Sequence, residues 1–188
     1  PRDLLQVGAL YPPRMVESNE WWRSVSCLVV HSGVLHFVPC LFLTLGIGHP
    51  VTKAHGSLKT SLCYLFCGTG GNLIGSLLNE VALSSGGSVG VFGWLGMCCV
   101  DVLLNLRLIW NQRTRDPHGY RLDPIRMALG LAIFVWCFLG FTKTQYIDGF
   151  SHGGAFWLGM CFGLVALNPL NTSPVIPTPL LEGYPLLR

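Results

Sequence analysis

The chain has 188 residues, of which 51% are hydrophobic and only 11% charged, with a mean hydropathy of +0.50. A soluble domain carries about 25% charged residues, so this composition excludes an ordinary globule in water and points to lipid as the solvent. The formal charge of +3 is too small to suggest a nucleic-acid partner.

Residues 1–23, with Pro12-Pro13 and the interfacial pair Trp21-Trp22, read as a loop rather than a span. Their start lacks a basic end followed by an apolar run, so no signal peptide is expected there. Five segments then approach the roughly 20 apolar residues needed to cross a bilayer. They are about Val25–Ile47, Leu58–Leu78, Ser88–Ile109, Ile125–Phe141 and His152–Leu170. Each is apolar on nearly all faces, and the breaks between them are polar or rich in Gly and Pro, which favours helices over strands. The expectation is an all-α polytopic membrane protein. Residues 24–170 form its core, and 171–188, with Pro174, Pro177, Pro179 and Pro185, form an extended tail.

All eight cysteines lie in or beside apolar runs and read as small buried hydrophobes rather than a disulfide framework. Cys63 and Cys67 share a helix face, but no histidine joins them at metal-ligand spacing, so no metal site is expected. Lysine and arginine set the orientation. Lys53 and Lys59 follow the first span, and Arg107, Arg113, Arg115, Arg121 and Arg126 surround the break after the third. The opposite side offers Arg2, Arg14, Arg23 and Lys143, and seven against four favours a cytosolic position for the basic breaks. Ser88 and His152 then both open spans on the far side, at similar depth.

Ser88 follows Gly86-Gly87 where a turn becomes a helix. By itself it reads as a small residue lining a helix contact, and His152 by itself reads as a buried, hydrogen-bonded histidine. Together they admit a second reading. An ionisable residue inside an apolar segment is costly and functional by default. A serine hydroxyl becomes a useful nucleophile when an adjacent base accepts its proton, and neutral histidine is the commonest such base. Small residues recur at intervals of three and four after both: Gly90, Gly93 and Gly96, then Ala155, Gly159 and Gly163. Such seams let two helix backbones approach. A carboxylate third member is not evident. Asp101 lies 13 positions below Ser88, about 20 Å along a helix, and reads as an interfacial residue beside Arg107. Asp148 reads as a residue of the loop before His152, with a partner that orients this histidine as the lesser alternative, so the expected constellation is a dyad.

These stretches resemble the rhomboid family of intramembrane serine proteases, from about Leu4 to Asn168. "ALYPPRMVESNEWWRSVSCLVVHSGVLH" is similar to the family's first luminal loop, its Trp-Arg motif (Trp22, Arg23) and the helix carrying two histidines. "GGSVGVFGWLG" resembles the Gly-x-Ser nucleophile motif, and "IDGFSHGGAFWLG" the last core helix with its catalytic histidine. The resemblance implies a rhomboid-like helical bundle, with five transmembrane helices present of a six-helix core. It implies Ser88 as nucleophile and His152 as general base, with His36 stabilising the oxyanion beside Gly86 and Gly87. It further implies that His31 is a structural neighbour, that Arg23 and Glu20 fix the loop, and that Phe92 packs on the catalytic imidazole. The chain departs from the family where Cys40 stands in place of the common asparagine, an oxyanion donor, and a thiol donates poorly. Val89 and Ala155 also stand where glycine is usual. The chain opens inside the first loop, as a partial sequence lacking the first core helix would.

The leading expectation is therefore an endopeptidase, without cofactor, that cleaves single-pass transmembrane proteins near the non-cytosolic face of the bilayer. The alternative is a rhomboid-like pseudoprotease that binds membrane clients without cutting, for which Cys40 and Val89 speak. Zinc and aspartyl intramembrane chemistry lack their signatures, with no HExxH helix and no aspartate pair within the spans. A transporter would carry inverted repeats or a polar stripe through several helices, and neither is seen.

Overall fold

The structure, a computed structural model, describes residues 2–78, 83–111 and 148–168. Within them the chain forms seven helices: α1 Arg2–Gln6, α2 Pro12–Glu17, α3 Arg23–Ser26, α4 Val34–His55, α5 Ser57–Leu78, α6 Ser88–Asn111 and α7 Gly149–Ala166. No strand occurs among the described residues, and only Leu10 and Ser84 pair, as an isolated antiparallel bridge. Helices α4 and α5, and α6 over Ser88–Asn105, are each long and apolar enough to cross a membrane. The protein is an all-α, polytopic membrane bundle. The expected span Ile125–Phe141, the basic break Arg113–Arg126, Lys143 and the tail lie outside the described residues.

The first span differs from its expected bounds. Residues 25–33 do not join it; they finish α3 and turn, and Gly33, at φ 142°, breaks the chain before α4. The helix then runs eight residues beyond Ile47, through Pro50 and Lys53, until Gly56 at φ 83° ends it. Hydropathy located the apolar stretch, but backbone breakers set its limits. The expected loop bearing Lys53 and Lys59 shrinks accordingly: Lys53 lies in the last turn of α4 and Lys59 in the first turn of α5. Likewise the opening residues are not a plain loop but α1, α2 and the start of α3, all too short to span.

Helix α7 packs most extensively on α6 and then on α5. It runs parallel to α6 and antiparallel to α5: Gly75 of α5 backs onto Ser151, while Lys59 Nζ, at the other end of α5, donates to the Ala166 carbonyl at 3.0 Å. The α6–α7 seam is built from Gly93, Gly96, Gly159 and Gly163. Gly90 and Ala155 serve another contact instead, against Tyr64 and Gly71 of α5. The small residues of α5, Gly71 and Gly75, form a second seam against α7 by the same spacing rule, which the sequence reading overlooked. Asp101 is buried beside the last residue of α4, with His55 Nε2 3.6 Å from its Oδ2 and Asn105 Nδ2 donating to Oδ1 at 3.0 Å.

The seam makes a sharp prediction. A Cβ on Gly159 would fall onto the Gly93 carbonyl and 2.9 Å from Gly93 Cα, main-chain atoms that cannot swing away. Gly159→Ala is therefore expected to destabilise the bundle by about 1–3 kcal/mol, the usual cost of overpacking. Gly46→Ala in α4, whose Cβ meets nothing within 4 Å, is expected to cost nothing. Thermal unfolding of both variants in lipid micelles checks this; equal midpoints would exclude so close a crossing.

Candidate active site

Ser88 is the first residue of α6, and the turn that presents it is pinned from several sides. Gly86 N–H donates to the Cys27 carbonyl at 2.9 Å, and Tyr64 Oη donates to the Gly87 carbonyl at 3.0 Å. Gly87 N–H donates to His31 Nε2 at 3.4 Å. Two residues upstream of Gly86, the Leu10–Ser84 bridge joins the opening segment to the same turn through bonds of 2.9 and 3.0 Å. Gly86 has φ +126°, and a Cβ there would sit 2.9 Å from His36 Nε2. Only glycine meets both conditions.

His152 lies in the first turn of α7, whose N-cap is Asp148. Its Nδ1 is 2.7 Å from the Asp148 carbonyl oxygen. A carbonyl can only accept, so Nδ1 carries a proton, and in the neutral imidazole Nε2 keeps its lone pair. Ser88 Oγ lies 2.8 Å from that Nε2, in position to donate its proton. Phe92, one turn below Ser88, meets the imidazole edge to face, with ring centroids 4.8 Å apart at 83°. The arrangement holds a neutral imidazole, oriented at one nitrogen and hydrogen-bonded to a hydroxyl at the other.

The remaining sequence-selected residues surround this pair. His36, in the first turn of α4, approaches Gly86 with its Nε2, and its Nδ1 is 3.0 Å from Ser32 Oγ. Cys40, one turn on and 5% exposed, lies close to Ser88. His31 is no longer on a span; it lies in the turn before α4, with Nδ1 3.1 Å from the Val29 carbonyl and its ring 5.4 Å from that of His36. Arg23, 2% exposed, donates to the Leu5 and Ala9 carbonyls at 2.8 and 2.9 Å and pairs with Glu20. Its guanidinium also lies 4.7 Å from the centre of the Trp22 ring. Arg23 thus knits the opening segment into one unit. Asn72 docks that unit on α5 by donating to the Ser24 carbonyl and to Cys27 Sγ, each at 2.9 Å. Burial pushes the Cys27 thiol up to about 12, so it stays neutral and can accept that bond.

Tyr64, Ser32, Ser151 and the Asp148 carbonyl were missed by sequence reasoning. Only Asp148 and Ser151 left a signal, the N-cap pattern of an aspartate three residues before a serine. Asp148 is no mere loop residue, yet its carboxylate does not touch His152; its carbonyl does. Cys63 and Cys67 are buried with sulfurs 3.8 Å apart.

Comparison with known proteins agrees with this architecture. The Rhomboid domain family model matches residues 18–169. The chain is similar to RHOMBOID-like protein 1 of Arabidopsis thaliana, at 29% identity over 87% of this chain and 39% of that protein. It is similar to Rhomboid-like protease 3 of Toxoplasma gondii, at 30% identity over 85% of this chain and 56% of that one. It also matches Rhomboid-type serine protease 2 of Emericella nidulans, at 30% identity over 81% of this chain and 28% of that one. The chain spans between 28% and 56% of the length of these relatives. Some of them bear the name of protease, so the family is one of proteases as well as of membrane proteins. With the match running from just before Trp21 to the end of α7, across an all-α bundle of membrane-length helices, this chain belongs to the rhomboid family and is an integral, multi-pass membrane protein.

Proposed function

We propose that the protein is an intramembrane serine endopeptidase acting through a Ser88–His152 dyad on single-pass transmembrane proteins. The observation that carries the reading is the 2.8 Å approach of Ser88 Oγ to His152 Nε2, with Nδ1 held on the Asp148 carbonyl. Ser88 attacks the scissile carbonyl while His152 takes its proton. Negative charge collects on the carbonyl oxygen and is met by the Ser88 backbone N–H and the His36 side chain. The tetrahedral intermediate collapses as His152 returns the proton to the leaving amine. Water, activated by His152, then hydrolyses the acyl-enzyme and releases Ser88. No cofactor enters these steps.

The end of the bundle bearing Ser88 and His152 is opposite the junction of α4 and α5, where Lys53 and Lys59 lie. Basic residues favour the cytosolic side, which supports cleavage near the non-cytosolic face. One observation favours a second reading, a pseudoprotease that binds clients without cutting. Cys40 brings a poorly donating thiol close to Ser88, where an attacking enzyme needs a good donor.

A fluorophosphonate probe separates the two. Full-length protein in native membranes is expected to label at Ser88 and to cut at least one reporter from a panel of single-pass membrane proteins. The Ser88→Ala protein should do neither. Absence of labelling in well-inserted wild-type protein would favour the client-binding reading.

A further inference from the structure

Asp148 combines two sets of contacts that the dyad itself does not explain. Its side chain is clamped onto Ser151: Oδ1 accepts the Ser151 N–H at 3.1 Å, and Oδ2 accepts the Ser151 hydroxyl. Its main-chain carbonyl accepts from His152 Nδ1 at 2.7 Å. The helical bond from the His152 N–H to the same carbonyl is long, at 3.3 Å, so the α7 ladder holds that oxygen weakly. What aims the carbonyl is the ψ torsion of Asp148, 87°, and the carboxylate clamp ties the residue down on the far side of that torsion.

The surroundings leave the clamp little freedom. Ser151 is fully buried and Asp148 only 9% exposed. Gly75 of α5 lies directly behind them: a Cβ there would fall onto Ser151 Oγ and 2.7 Å from Asp148 Oδ2. The glycine lets α5 close over the carboxylate and exclude water that would compete for it. Both carboxylate oxygens are satisfied within one helical turn, each by Ser151.

We propose that Asp148 is a positioning residue: its carboxylate, clamped on Ser151 beneath Gly75, fixes the peptide carbonyl that keeps His152 in the tautomer able to accept the Ser88 proton. The inference rests on the protease reading given above. It differs from a triad, in which a carboxylate contacts the histidine directly and stabilises its positive form. Here the carboxylate acts by geometry, and the neutral carbonyl makes the contact.

Geometry and charge separate on substitution. Asparagine caps helices about as well as aspartate. Its amide oxygen can still accept the Ser151 N–H, and its amide nitrogen can donate to the Ser151 oxygen. Alanine keeps the carbonyl but removes the clamp. The experiment measures kcat, KM and the rate of fluorophosphonate labelling for full-length wild type, Asp148→Ala, Asp148→Asn and Ser151→Ala in liposomes. Misplacing a catalytic group slightly costs up to about 100-fold in rate, so Asp148→Ala should lose about 10- to 100-fold in kcat, with KM unchanged and labelling slowed in parallel. Asp148→Asn should recover to within about threefold of wild type, because its capping is equivalent. Ser151→Ala, which loses only one hydroxyl, should show a smaller loss of the same kind. It carries the test alone if Asp148→Ala does not insert.

Full kcat in Asp148→Ala, or in Ser151→Ala should that variant stand alone, overturns the clamp. So does Asp148→Asn as damaged as Asp148→Ala, which would assign the carboxylate a role through its charge. A loss confined to KM overturns it too. Wild-type protein that neither labels nor cleaves removes the protease reading, and the clamp's role with it. An active wild type with indifferent clamp variants removes the clamp alone.

Discussion

Ser88→Ala and His152→Ala are each expected to reduce cleavage to background, and the double variant to fall no further. Deleting the hydroxyl removes the atom that forms the acyl bond, and deleting the imidazole leaves a hydroxyl with no acceptor at 2.8 Å. A nucleophile and its base act as one unit. In a soluble serine protease, loss of either costs about 10⁶ in kcat, nearly as much as loss of the whole constellation. A loss of more than about 10³ is therefore expected for each single variant. Folding should survive both. Ser88→Ala leaves the Nδ1 bond to the Asp148 carbonyl and the Phe92 contact in place. His152→Ala leaves the Asp148–Ser151 cap and the glycine seam untouched. The assay compares cleavage of a reconstituted single-pass substrate with expression and insertion of each variant. A Ser88→Ala protein that still processes substrate removes the protease assignment.

The proximity of these two side chains was legible in the amino-acid sequence alone, for a physical reason. Two apolar spans opening on the same side bring their first residues to one depth, and glycines at intervals of three and four tell which helices can approach. The weak point of that logic was specificity, since every small residue was assigned to one seam. Gly90 faces Tyr64, Gly93 faces Cys67 while Gly159 packs on its carbonyl, and Ala155 faces Gly71, so three of the six take part in contacts with α5. The start of α4 was misplaced because residues 25–30 are as apolar as a span, and hydropathy does not register a glycine at φ 142°. His31 was moved off the helix for the same reason. The role of Asp148 was hidden differently. Its identity suggests a carboxylate partner for His152, whereas the contact is made by its carbonyl, a group that every residue carries and that no sequence motif marks. Tyr64 reads as one more aromatic in a lipid-facing helix until its hydroxyl is found on the Gly87 carbonyl.

Substitutions at His36 and Cys40 are expected to move the rate in opposite directions. During attack, negative charge develops on the substrate's carbonyl oxygen, and donors aimed at it contribute most where water is excluded. His36 is suited to this task, because its Nε2 reaches past Gly86 toward Ser88 and Ser32 Oγ steadies its other nitrogen at 3.0 Å. Cys40 is not. Its thiol lies close to Ser88 but donates only feebly. Removing one good donor costs roughly 2.7–4 kcal/mol, or about 10²–10³ in kcat, and His36→Ala should lose an amount of that order. Cys40→Asn should raise kcat, by somewhat less than that factor, because His36 is proposed to serve the same oxygen. The asparagine amide would add a donor. The two sites address one charge, so their effects should not add: His36→Ala ought to do less damage in the Cys40→Asn background than in the wild type. Turnover of one reconstituted substrate by the four proteins decides the matter. A folded Cys40→Asn protein that turns over no faster than wild type would mean that position 40 is not a vacant donor site. Ser88 N–H and His36 would then make up the hole between them.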